Sequence, residues 1–160
     1  MKKQMCLRTG MVMAMVLALV GLAVAVAAQD NMQILRDKIK ADKKLVVASN
    51  MELTDSEAKA FWPVYDQYQK DLGAINERIV KMIKSYADAY NAKSMTDEGA
   101  KKLIAEYVAI EKAEAAMKES YVPKLSKVLP PKKVARYLQI ENKIRALVKY
   151  DLAGQIPLVP

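Results

Sequence analysis

Residues 53–90 read LTDSEAKAFWPVYDQYQKDLGAINERIVKMIKSYADAY, and this run decides the fold. It opens on Thr54, whose hydroxyl can accept from the amide three residues on, and on Glu57, whose carboxylate can reach back to the Thr54 amide. Together they form a capping box. Behind it Phe61, Tyr65, Tyr68, Leu72, Ile75, Ile79, Met82, Tyr86 and Tyr90 step by four and three, an apolar seam sustained over about four heptads. Between residues 54 and 92 there is one Gly and one Pro, and no strand-like alternation competes. The spacing predicts a single long helix, on the order of 55 Å at 1.5 Å per residue.

Working outward, residues 31–48 are expected to form a first helix with Met32, Leu35, Ile39 and Val46 toward one side, ending near Ser49-Asn50. Downstream of the long helix, the polar segment Asn91 to Met95 reads as a turn. Thr96 then caps a third helix with Asp97 and Glu98 in its first turn, where the helix dipole favours them. Leu103, Tyr107, Ile110, Met117, Tyr121, Leu125 and Val128 supply its apolar stripe, interrupted by Glu114. Leu129-Pro130-Pro131-Lys132-Lys133-Val134 is a stop and a restart, with Pro131 at the first helical position and Leu129 as a staple on Val134. A fourth helix is expected to about Leu152, with Val134, Tyr137, Leu138, Ile144, Leu147 and Val148 inward and Gly154 at C′.

The fold class is therefore all-α, with about four helices and an elongated antiparallel hairpin at the centre. The fourth helix is shorter than the second, so one chain leaves part of the seam uncovered, and a homodimer is the expected remedy. Pro63 and Pro123 fall within helical patterns, where each either bends the helix or marks a boundary. If both bend it, the hairpin has a concave face.

The N-terminus follows the plan of an export signal. Lys2, Lys3 and Arg8 precede Met11 to Ala28, 18 residues without a charge, and Ala25-Val26-Ala27-Ala28 supplies small residues for cleavage after Ala27 or Ala28. The alternative is an uncleaved membrane anchor, since 18 apolar residues sit at the lower edge of what spans a bilayer. Either way the remainder is expected in the periplasm, with residues 1–28 as signal peptide and 29–160 as one helical domain. Cys6 precedes the apolar run, so it is not placed for lipidation.

With residues 1–28 removed no thiol remains, and the sequence has no histidine, which excludes disulfides, thiolate chemistry and His-based catalysis. Of the 26 basic residues three leave with the signal, so 23 face 18 acidic ones and the net charge falls to +5. In an exported protein that balance points to acidic proteins, anionic lipid or acidic polymer rather than nucleic acid. Glu111 and Glu114 give the acidic half of a di-iron motif without its His, and Met32, Met51, Met82, Met95 and Met117 are too scattered for a soft-metal site, so neither metal nor cofactor is expected. No phosphate loop, nucleophile elbow or Ser/Lys motif is present. Asp55/Lys59, Asp66/Lys70, Glu77/Lys81, Glu98/Lys102 and Glu114/Lys118 read as i, i+4 pairs on a solvated face. Phe61-Trp62-Pro63-Val64-Tyr65 concentrates three aromatics. Phe61 and Trp62 cannot both face the seam.

The chain resembles the Spy/CpxP, or LTXXQ-motif, family of periplasmic helical proteins. The first motif is Leu53-Thr54-Asp55-Ser56-Glu57, with Glu in place of Gln. The second, Leu129-Pro130-Pro131-Lys132-Lys133, keeps the leucine and its place before a helix. The likeness spans most of residues 50–152. It implies an antiparallel cradle-shaped dimer that binds unfolded envelope proteins without ATP, or docks on the sensor domain of an envelope-stress kinase. Metal-responsive relatives use histidines, which are absent here.

The expected function is thus a non-enzymatic periplasmic binding protein, chaperone-like or a stress adaptor. The candidate partner-binding residues are Phe61, Trp62, Tyr65, Lys132, Lys133 and Arg136. The alternative is a structural envelope protein that binds anionic lipid or cell-wall polymer through Lys132, Lys133, Arg136, Lys143, Arg145 and Lys149.

Overall fold

The computed structural model of the chain describes residues 42–160, and all of the secondary structure among them is helical. The expected signal peptide, Cys6 and the start of the first helix lie outside the described residues. Four helices are described: α1 over 42–51, α2 Asp55–Asn91, α3 Asp97–Ser126 and α4 Pro131–Gln155. Two compact units divide the chain between Asn50 and Met51.

The described part of the first unit is helical. Near its end the Ser49 hydroxyl donates to the Leu45 carbonyl at 2.9 Å and the Asn50 side-chain amide to the Val46 carbonyl at 2.8 Å, side-chain bonds that compete with the backbone ladder and favour a helix end nearby. Val47, not Val46, is the buried residue here; Val46 is exposed.

In the second unit α2 begins as expected. Thr54 accepts from the Glu57 amide at 3.3 Å while the Glu57 carboxylate accepts from the Thr54 amide at 2.8 Å, so both halves of the capping box form. Helix α2 runs uninterrupted through Pro63 and α3 through Pro123, which removes the boundary reading of either proline. Helix α2 ends in a Schellman motif: Ser94 N–H bonds the Ala89 carbonyl and Lys93 N–H the Tyr90 carbonyl, each at 3.0 Å. Lys93 takes the left-handed conformation there, φ 51°, a place glycine usually fills. Thr96 caps α3 through the Gly99 amide at 3.1 Å.

Helices α2 and α3 pack as an antiparallel hairpin, with Asp71 opposite Tyr121 and Arg78 opposite Glu106. Helix α4 runs back alongside α3 and therefore parallel to α2, so Lys133 meets Glu57, Glu141 meets Gln69, and Arg145 meets Asn76. The α4 backbone approaches α3, yet no Cα of α4 lies within 8 Å of one in α2. Side chains must bridge that gap, and their size decides whether it is filled.

At the end where α2 begins, aromatic rings fill it. Phe61 and Tyr137 meet edge to face at 5.1 Å, Tyr68 stands edge to face on Tyr121 at 5.0 Å and on Tyr137 at 5.6 Å, and Leu125, Leu129 and Val134 close the cluster. Phe61 is wholly buried, whereas Trp62 is half-buried and stacks on its edge, as adjacent helical positions require.

Several expectations need correction. Tyr107, Leu147 and Val148 are exposed rather than inward, because α4 covers the seam from farther away than a coiled-coil partner would. Gly154 is not at C′: α4 continues through it to Gln155 and Ile156 is the C-cap. The chain then carries on past Tyr86, so it covers more of its own seam than a helix ending at Leu152 would. Glu114 is not on a solvated face but 3 % exposed.

Candidate binding groove

Glu114 sits in the α3 stripe, where an isolated carboxylate would be costly. Arg145 of α4 places Nε at 3.0 Å and Nη2 at 2.6 Å from its Oε2, and Lys118 places Nζ at 2.7 Å from Oε1. Burial pushes its carboxyl up, but the hydrogen bonds and charges of Arg145 and Lys118 outweigh it and hold the carboxyl down at about 2. Since Arg145 Nη1 also donates to Asn76 at 2.6 Å, one guanidinium ties α2, α3 and α4 together. Glu141 is buried likewise, accepting from Gln69 at 2.8 Å. Burial, then the Glu141 charge, push the Tyr137 hydroxyl well above the usual phenol range. Among the described residues no buried side-chain polar atom lacks a partner. Arg145 borders open space but is already paired with Glu114, so the network reads as internal scaffolding.

Beyond Arg145 the side chains that line the gap are mostly aliphatic, Tyr86 and Tyr107 aside, and the gap between α2 and α4 stays open. A groove of about 580 Å³ results, its floor formed by Ile79, Met82, Ile83 and Leu103, its far wall by Val148, Leu152 and Ala153, and its mouth by Ile156 to Val159. Ile104 and Tyr107 stand exposed on its α3 side. Its charged lining is neutralised internally: Lys149 pairs with Glu111 at 2.9 Å and Arg145 with Glu114. A surface so apolar and concave, on elements held by the network behind it, is suited to bind apolar matter. Tyr86 closes the end of the floor; its ring is buried and its hydroxyl donates to the Pro157 carbonyl at 2.9 Å.

The residues singled out from sequence lie at the opposite end. Phe61 and Tyr65 are core side chains, Tyr65 with its hydroxyl pushed up to about 12 by burial, and only Trp62 keeps part of its ring in water. Lys133 donates to Glu57 at 2.6 Å and to the Glu52 carbonyl at 2.7 Å, and Arg136 pairs with Glu52 at 3.2 Å; Lys132 is exposed. The two motif-like segments therefore meet in space: Glu57, last residue of the first, pairs with Lys133, last of the second. Lys133 and then the Thr54 amide hold the Glu57 carboxyl below its usual range.

Sequence reasoning missed the groove because its residues look like an ordinary seam; the aliphatic stretch Ile75, Ile79 and Met82, set between the Phe and Tyr residues before Leu72 and Tyr86 after it, is the one available signal. Among the described residues no helix is long and apolar enough to cross a membrane. No protein-family model, curated protein or solved structure matches this chain.

Proposed function

We propose that this protein is an exported, non-enzymatic helical binding module, of the Spy/CpxP kind, that holds apolar segments of other proteins in the envelope. The observation that carries the reading is the open, mostly aliphatic groove of about 580 Å³ beside a core whose buried side-chain polar atoms, among the described residues, are all paired. An unfolded client or a partner domain would supply the apolar surface that α4 leaves unmatched, and a second copy of the chain could cover the exposed Tyr107 and Leu147. The anionic-surface alternative draws less support, because Lys133, Arg136, Arg145 and Lys149 already hold carboxylates.

The test is light scattering of an aggregating client with the purified protein. Suppression near equimolar ratio, weakened by Met82→Lys on the groove floor, is expected. Absence of suppression by the unsubstituted protein removes the reading. Recovery of the processed chain in an osmotic-shock fraction checks the compartment.

A further inference from the structure

We infer that the mouth of the groove is a site for extended, apolar, proline-containing peptide segments, and that the chain's own C-terminus occupies it as a displaceable strap. The inference rests on the proposed function and names what the groove selects. Helix α4 ends at Gln155, and Ile156 turns extended, φ −93° and ψ 116°. Pro157 has no amide to donate and a fixed φ, so the segment neither continues the helix nor pairs as a strand. Ile156, Pro157, Leu158 and Val159 then lie along the groove. Ile156 is half-buried, but Leu158 is 90 % exposed, so the segment is seated by its first residues and projects beyond them. Among the described residues its side-chain hydrogen bond to the body is one: Tyr86 hydroxyl to Pro157 carbonyl.

That bond specifies the occupant. The Tyr86 ring is buried and its bond to Pro157 is part-buried, so removing the strap leaves the hydroxyl to pair with water or with the carbonyl of an incoming segment. An extended peptide brings free carbonyls; a helix has spent its own internally. Apolar rings and side chains beneath a proline-containing strand, with one aromatic hydroxyl on a backbone carbonyl, are the elements of polyproline-type recognition. Because the strap is tethered, it competes at an effective concentration in the millimolar range, and a client must exceed that to enter.

The experiment measures anisotropy of a labelled peptide, Gln-Ile-Pro-Leu-Val-Pro, with three proteins: the full chain, the chain ended at Gln155, and the full chain carrying Ile156→Asp. The shortened chain and Ile156→Asp are expected to bind at least ten-fold more tightly than the full chain, and Tyr86→Phe in the shortened chain to weaken binding about five-fold. If shortening costs helical signal, Ile156→Asp carries the comparison. Equal binding by the full chain and Ile156→Asp overturns the strap. So does indifference to Tyr86→Phe. Client turbidity separates the two claims: equal suppression with and without Ile156→Asp removes the strap and leaves the groove reading, whereas tight peptide binding without any suppression removes the client reading and leaves the strap.

Discussion

The two ends of the α2–α4 interval face the same geometric problem and meet it with different side chains. No backbone approach within 8 Å is available at either end. Where Phe61, Tyr68, Tyr121 and Tyr137 stand, rings wide enough to span the interval interlock edge to face and leave a buried core. Where Ile79, Met82, Val148 and Leu152 stand, side chains of lesser reach leave a groove. The lesson is that one periodic seam can be scaffold over half its length and binding surface over the rest, with side-chain volume as the switch.

The sharpest way to break this comparison is to remove a ring. Tyr137→Ala should cost about 3–5 kcal/mol in denaturant unfolding, whereas Met82→Ala, facing a space already open, should cost under about 1 kcal/mol. Equal costs would mean that both ends are packed alike.

Next in size is the carboxylate that separates the two ends. Glu114→Gln leaves Arg145 buried without its counter-charge and should destabilise by about 3 kcal/mol. The same pair sets an acid limit. Because the folded Glu114 carboxyl lies at about 2, below its ordinary 4.5, its contribution is complete above 4.5 and is lost as pH falls toward 2. Denaturant unfolding at each pH should therefore show the stability of Glu114→Gln falling less steeply than that of the unsubstituted protein between pH 4.5 and 2.

Smaller effects compare the two caps of α2. Thr54→Ala at the aromatic end should cost about 1 kcal/mol, through loss of the bond to the Glu57 amide. Lys93→Gly at the open end should gain up to about 1 kcal/mol, because glycine adopts its positive φ without a Cβ clash. Thermal melts of both variants check the pair, and a loss at Lys93→Gly would mean that the turn is held by something other than backbone conformation.

Much of this was legible locally. The Thr54–Glu57 box, the Thr96 cap and the Pro131 restart depend on residues three or four apart, so the sequence determined all three helix starts, and with them the all-helical fold. Gly154 misled for the same reason: its local preference for a helix end was overridden by a C-terminus seated on Tyr86. Only the tertiary structure decided that Phe61 and Tyr65 are core and not contact surface, that Glu114 is buried against Arg145, 31 residues away, and that Glu57 closes on Lys133 across 76. Periodicity states which residues share a face of a helix. It is silent on how far away the opposite face stands, and that distance, set by how α4 leans on α3, is what divides core from groove.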